Sequence, residues 1–360
     1  MQITQIRLRD FRNYQTLSLP LSPGVNVLYG ANAQGKTNIL EAVYLCCLGR
    51  SHRTAHETEL IRQGERSAYA NVQVARRDGP RSVEVLLENN ERKRIQVSGM
   101  PIRRMSELMG HVQCILFSPE DLQLVKGGPS LRRRFLDTSL SQLRPAYFLA
   151  LAKYNAALAQ RNALLKRGQG SLDAMLDAFD VTLSEYGAQV IRDRMEFVQA
   201  LAPLAAQVHQ DVAEGETLCV KYKTQIEAAQ SDLQAALMQA LQKGRTDDLR
   251  RAVTLTGPHR DDILLEIAGK DARSYASQGQ QRTAALSLKL AGAEQMQKEM
   301  GQAPVLMLDD VFSELDSKRQ HALLSRIHGQ ALLTTATEPP RILECASLYQ
   351  VRKGQVERQK

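Results

Sequence analysis

Apolar and polar positions alternate over Val25-Asn26-Val27-Leu28-Tyr29, which predicts a strand, and the pattern then changes to helical spacing over Asn38-Ile39-Leu40-Glu41-Ala42-Val43-Tyr44-Leu45. Further strand-like runs at residues 70–74 and 83–87 are set off by turn signals at Asp78-Gly79-Pro80 and Glu88-Asn89-Asn90. Together they predict a β-rich lobe ending near residue 118. From about residue 120 to 250 the chain turns to Ala, Leu, Gln and Arg with helical spacing, interrupted at residues 166–171 and near Glu214-Gly215. This predicts a helical arm of moderate length, without the sustained heptads of a long coiled coil. From Val253 strand-like runs return; Pro304 opens four apolar residues that end in Asp309-Asp310, and a last buried strand is predicted at Ala331-Leu332-Leu333. The expected architecture is α/β: a discontinuous head, residues 1–118 and 252–360, with a β-rich sub-lobe and an inserted α-helical arm, residues 119–251. In its widest form the arm reaches about residue 300.

Composition narrows the function classes. The 360 residues are 43% apolar with no unbroken apolar run of membrane length and no secretory segment at the start, so a cytoplasmic globular protein with no membrane partner is expected. The five cysteines, Cys46, Cys47, Cys114, Cys219 and Cys345, lack C-x-x-C spacing and are odd in number. Neither zinc nor a disulfide framework is indicated, and buried free thiols are expected. The net charge of +8 allows one basic face. Among the basic clusters, Arg132, Arg133 and Arg134 at the entrance to the arm are the first candidates for DNA phosphates; the alternative is that they hold carboxylates inside the protein. With 5% aromatic residues there is no stacking platform. Phosphate contacts would dominate, giving weak sequence specificity and steep salt dependence.

The chemistry concentrates in three short segments. Gly30-Ala31-Asn32-Ala33-Gln34-Gly35-Lys36-Thr37 satisfies G-x-x-x-x-G-K-[ST] between a predicted strand and a predicted helix, so backbone N–H groups and a helix N-terminus converge on an anion. Lys36 is expected to reach the β- and γ-phosphates of ATP and Thr37 to ligate Mg2+, with Asn38 following in the helix. Asp309 and Asp310 end a buried strand; Asp309 is the expected magnesium-side carboxylate and Asp310 the group that orients or deprotonates the attacking water. Ser277-Gln278-Gly279-Gln280-Gln281 opens a helix and offers a serine hydroxyl and a glycine as a γ-phosphate clamp. The consecutive residues Thr256-Gly257-Pro258-His259-Arg260-Asp261-Asp262 cannot all converge on one ion, and no role is assigned to them.

The order of these segments, closed by Ser313-Glu314-Leu315-Asp316, resembles the heads of the ABC ATPase superfamily, whose last element is the D-loop. Within it the chain is similar to the RecF family of bacterial recombination and repair proteins from end to end. The resemblance is carried by Ile6-Arg7-Leu8-Arg9-Asp10-Phe11-Arg12-Asn13-Tyr14, the glycine-rich loop, Phe117-Ser118-Pro119-Glu120-Asp121-Leu122, Arg132-Arg133-Arg134-Phe135-Leu136-Asp137 and residues 256–262. It implies a homodimer in which Gly30, Gly35, Lys36 and Thr37 bind ATP in one subunit while Ser277, Gly279 and Gln280 of the other complete the site. It further implies a weak, DNA-stimulated ATPase acting as a switch, binding to gapped DNA or single-strand/double-strand junctions, and loading of RecA with RecO and RecR in replication-linked recombinational repair and the SOS response.

Two departures from the superfamily pattern stand out. Asp310 occupies a position usually held by Glu, which predicts slow hydrolysis. Thr334-Thr335-Ala336-Thr337 replaces the segment that carries a switch histidine, with Thr335 the expected substitute, and Glu120 or Gln123 stands where other heads place a glutamine. A transporter nucleotide-binding subunit or a small-molecule kinase shares the glycine-rich loop. The first leaves the basic helical arm unexplained, and the second leaves residues 277–281 and 313–316 unexplained.

Overall fold

The structure, a computed structural model, describes residues 1–167, 173–213, 215–338, 343 and 345–359. The interruptions expected at residues 168–171 and at Glu214 lie outside the described residues. In chain order, β1 (Gln2–Phe11) and β2 (Tyr14–Pro20) form a hairpin, and β3 (Val25–Tyr29) runs through the glycine-rich loop into α1 (Lys36–Leu48). Next come β4 (Ser67–Ala75), β5 (Arg81–Glu88), β6 (Arg94–Val97), β7 (Met100–Pro101) and β8 (Cys114–Phe117). The helical stretch holds α2 (Leu122–Lys126), α3 (Pro129–Leu143), α4 (Pro145–Arg167), α5 (Asp173–Val212), β9 (Leu218–Lys223) and α6 (Leu233–Arg251). Then β10 (Asp262–Ile267), β11 (Lys270–Asp271), α7 (Ala272–Tyr275) and α8 (Gln278–Met300) lead to β12 (Val305–Asp309), α9 (Ser317–Ser325), β13 (Ala331–Thr335), β14 (Ser347–Arg352) and β15 (Gln355–Arg358).

These elements cluster into two compact units, Met1–Asp121 with Leu286–Lys360, and Leu122–Ala285. The first unit contains two six-stranded sheets. One is ordered β15-β14-β3-β13-β12-β8 and is parallel except for β15; the other, β2-β1-β4-β5-β6-β7, is antiparallel. A parallel strand covered on both faces needs apolar side chains on both, which is why β12 reads Val305-Leu306-Met307-Leu308 without alternation. Helix α1 packs against β4 and β5 of the antiparallel sheet and against β8, β12 and β13 of the parallel one. Residues from Ile39 to Leu48 are accordingly buried on every side, and the helix shows no polar face. The buried Gln330, just before β13, clips the sheets together: its side chain accepts the Ile3 N–H at 2.6 Å and donates to the Ile3 carbonyl at 2.8 Å.

The second unit is built on α4, α5 and α6, whose core includes Tyr154, Leu183, Ile191, Leu233 and Leu237. It is not wholly helical. Residues 218–223 form β9, which pairs antiparallel with β10 in the order β11-β10-β9, because Leu218 and Val220 alternate with exposed positions and cover one face. Residues 252–285 cluster with this unit. Cys46, Cys47 and Cys114 are buried, whereas Cys219 and Cys345 are exposed, which corrects the expectation of burial for all five.

Candidate functional site

The glycine-rich loop joins β3 to α1 through backbone conformations that only glycine adopts without strain. Gly30 has φ 147° and Gly35 φ 111°. Space excludes a side chain as well: a Cβ on Gly30 would lie 2.3 Å from the Val351 carbonyl oxygen, and one on Gly35 would lie 2.5 Å from Asn13 Nδ2 and 2.8 Å from the Tyr14 hydroxyl. The β1–β2 turn braces the loop from below. Asn13 Nδ2 donates to the Gln34 carbonyl at 3.0 Å, Asn13 Oδ1 accepts from Asn38 Nδ2 at 2.8 Å, and Tyr14 donates to the Gly35 carbonyl at 3.1 Å. Burial pushes the Tyr14 hydroxyl's pKa up, so it stays a donor.

The parallel sheet brings the loop to the acidic strand. β13 lies between β3 and β12, so the C-terminal ends of all three strands face one cleft of about 360 Å³. Asn32, Ala33, Gly35, Lys36, Thr37 and Asn38 line it from the loop side, and Asp309, Asp310, Thr334 and Arg53 complete it. Thr37 Oγ1 donates to Asp309 Oδ1 at 2.8 Å across a separation of 272 positions in the chain. Lys36 is buried and its ammonium curls back onto the Gly30 and Ala31 carbonyls, at 2.5 and 2.8 Å. Burial lowers its pKa, opposed by the negative charges of Asp310 and Asp309. Asp310 has φ 52°, and its Oδ1 is buried without a hydrogen-bond partner. A polar cleft with a lysine, an arginine, a hydroxyl beside a carboxylate and one unpaired carboxylate oxygen has the donors and acceptors for a magnesium-bound triphosphate. The chemistry of the donor set therefore fits that group.

Behind the cleft lies a buried charge that sequence reasoning did not single out. Glu41, on the apolar helix α1, is fully buried; Arg12 donates to both of its oxygens at 2.8 Å, and Ser51 donates at 2.5 Å. Arg53 reaches the same carboxylate at 3.4 Å and Asn38 Oδ1 at 2.9 Å, which holds its guanidinium over the cleft. Burial alone would raise the Glu41 pKa, but hydrogen bonds from Arg12 and Ser51 and the charges of Arg12 and Arg53 hold it below the ordinary value. A lone carboxylate in the run Ile39 to Leu45 was the available signal, since a buried charge requires a partner.

The serine-glycine segment belongs to the second unit. Ser277 and Gln280 form a reciprocal capping box at the start of α8: the Ser277 N–H donates to Gln280 Oε1 at 2.8 Å and the Gln280 N–H to Ser277 Oγ at 3.3 Å. Ser277 is exposed, and Gln280 Nε2 is held by Glu216 at 2.8 Å. In the first unit Ser313 Oγ donates to the Asp310 carbonyl at 2.7 Å and Asp316 caps α9. Thr335 does not line the cleft; its hydroxyl faces Thr337 Oγ1 at 3.4 Å, and the neighbouring Thr334 takes the cleft position. Glu120 and Gln123 are exposed and also lie outside the lining.

The arginine run divides by burial. Arg132 is buried and its guanidinium grips Asp262 at 2.6 and 2.9 Å while also donating to the Gly127 carbonyl at 3.0 Å, so it faces no solvent phosphate. Arg133 is half-buried on the Asp261 carbonyl at 2.7 Å, and Arg134 is exposed. Within residues 256–262, Asp261 and Asp262 hold Arg133 and Arg132. Pro258 O accepts from Arg194 at 2.7 Å, and Tyr222 donates to Asp261. His259 Nε2 lies 2.9 Å from the Thr254 carbonyl, which only accepts, so that nitrogen carries the proton and Nδ1 accepts from Tyr154 at 2.6 Å. Burial lowers the His259 pKa to about 4, consistent with a neutral ring. Among the described residues no group of three or more His, Cys, Asp or Glu side chains is arranged to hold a metal.

A strand, glycine-rich loop and helix facing an acidic strand one position removed in a parallel sheet, beside an antiparallel lobe, define an ABC-type ATPase head. The model of the RecF/RecN/SMC N terminal domain family matches residues 2–359. The chain is 44% identical to the DNA replication and repair protein RecF of Symbiobacterium thermophilum, covering 99% of this chain and 98% of that protein, and 40% identical to its namesake in Alkaliphilus oremlandii, covering 99% and 100%. It superimposes on the solved recombination mediator protein RecF-ATPrS in the RecFOR pathway with a TM-score of 0.93 at 35% identity, covering 100% of this chain and 98% of that one. An Smc head from Pyrococcus furiosus, at 17% identity and a TM-score of 0.58, shares the fold. The chain belongs to the RecF family.

Removing the buried carboxylate tests the support behind the cleft. Glu41→Ala leaves the half-buried Arg12 with only its bond to the Glu59 carbonyl and is expected to cost about 1–3 kcal/mol of stability at neutral pH, read by chemical denaturation. The folded pKa is depressed, so the contribution is complete above the ordinary value of 4.5 and is lost as pH falls below it. The gap between the two proteins should narrow in acid; a gap independent of pH contradicts the charge assignment.

Proposed function

We propose that the chain is an ATP-dependent DNA clamp of recombinational repair, working in the cytoplasm. The observation that carries this reading is the single cleft in which Thr37 meets Asp309 and Lys36 lies beside Asp310. In this reading residues 30–38 bind the ATP phosphates, with Lys36 turning from its own loop carbonyls to the β- and γ-phosphates. Arg53, held over the cleft by Asn38 and Glu41, adds a second cation. Thr37 and Asp309 would hold Mg2+, which would supply charge neutralisation for the triphosphate. Asp310 takes the proton of the water that adds to the γ-phosphorus as the bond to the β–γ bridging oxygen breaks and ADP leaves. The unpaired Asp310 Oδ1 supports that role, because taking a proton there breaks no existing hydrogen bond within the protein.

The exposed Ser277, with Gly279 and Gln280, closes over the γ-phosphate of a second copy, so that two ATP molecules sit in an isologous dimer. ATP then favours the dimer, and hydrolysis opens it. The relatives' names support action on DNA and in a pathway with RecO and RecR, and the preferred substrate is gapped DNA or a single-strand/double-strand junction on which RecA is loaded. Among the described residues no helix is long and apolar enough to cross a membrane. Arg132 is withdrawn from the DNA-binding set because its guanidinium is already paired inside the unit, and Arg134 becomes the leading contact.

Two expectations follow from this division of labour. By calorimetric titration, Lys36→Ala should lose ATP binding, whereas Ser277→Arg should keep the affinity of the single subunit; equal loss in both would place Ser277 in the cis site. Arg134→Glu should weaken binding to a gapped duplex about tenfold at moderate salt and reduce the salt slope, with ATP affinity unchanged. An unaltered DNA isotherm would remove Arg134 from the interface.

A further inference from the structure

We infer that Thr334 is a positioning residue for hydrolysis, holding Asp309 and Asp310 in one arrangement through a single hydroxyl. This rests on the ATPase reading above and adds to it a residue from outside the three motif segments. In the parallel pairing of β12 and β13, Asp309 stands opposite Thr334. Opposed residues in a ladder project to the same side of the sheet, so the hydroxyl meets the carboxylate directly. Thr334 is buried, and its Oγ1 donates to Asp309 Oδ1 at 2.8 Å while accepting the Asp310 N–H at 2.9 Å.

A threonine hydroxyl has one proton, and here it is committed to Asp309, which leaves the lone pairs for the amide. The two bonds act on different things. The first fixes the rotation of the Asp309 carboxylate from the strand side, while Thr37 holds the same oxygen from the helix side. The second anchors the peptide that enters Asp310, a residue in the left-handed region at φ 52° and ψ 24°. That conformation is unfavourable for most side-chain-bearing residues, so the Thr334 bond offsets part of its cost. The same conformation directs a carboxylate whose Oδ1 is buried and unpartnered. Thr335, one residue on, points away from the cleft and cannot substitute.

Valine matches the shape of threonine and removes both hydrogen bonds; serine keeps both and loses a methyl group. The experiment compares full-length Thr334→Val, Thr334→Ser and the unmodified chain by steady-state hydrolysis, by titration with ATP in EDTA and in Mg2+, and by thermal unfolding. Thr334→Val should lower kcat about 10- to 100-fold with the EDTA affinity for ATP within about threefold of wild type, because the two carboxylates are disturbed while the phosphate loop is untouched. It should also diminish the gain in ATP affinity that Mg2+ brings, and Thr334→Ser should restore both. Hydrolysis by Thr334→Val at the wild-type rate overturns the inference. So does a serine variant as slow as the valine variant with equal loss of thermal stability, which would make the residue a packing element. If the unmodified chain neither binds nor hydrolyses ATP, the ATPase reading fails first; if it hydrolyses ATP and Thr334→Val matches it, only the role of Thr334 falls.

Discussion

A single carboxylate oxygen joins segments that lie at opposite ends of the chain: Asp309 Oδ1 accepts hydroxyl protons from Thr37 on α1 and from Thr334 on β13. Those hydroxyls reach it only if β3, β13 and β12 are adjacent and parallel in the observed register. That constraint explains how a chain can carry a long insertion between its loop and its acidic strand and still assemble one cleft. The insertion folds as a unit of its own, and the strands flanking it close the sheet.

Placing a polar cleft over a helix with no polar face creates an electrostatic problem, and Glu41 answers it. The helix that begins at the phosphate loop is buried on every side, so a charge on it survives only when fully paired. Arg12 and Ser51 supply that pairing, and Arg53 extends the network to the cleft edge. One buried carboxylate thus links the β1–β2 turn, helix α1 and the loop after it, so the site is supported by Glu41, Arg12 and Ser51, which lie outside the cleft lining.

Much of this was legible in the sequence because local chemistry and local structure coincide there. Glycines at 30 and 35, the lysine between loop and helix and an apolar strand ending in carboxylates each have one inexpensive structural reading. The second unit was harder. A strand of six residues at Leu218–Lys223 sits between helices, and its alternation is too short to outweigh the composition around it. Arginines 132 to 134 look alike in sequence, and the carboxylate that claims Arg132 is contributed by Asp262, far along the chain. Thr334 and Thr335 are likewise equivalent until strand register decides which hydroxyl faces Asp309. In each case the missing information was long-range pairing, which no local pattern encodes.

Sedimentation of the purified chain without nucleotide, with ADP and with ATP tests the γ-phosphate-dependent clamp most directly. A monomer that becomes a dimer with ATP alone, and remains a monomer with ADP, is the expected result. A mass unchanged by ATP, or a dimer in all three conditions, would contradict a switch that closes on the γ-phosphate.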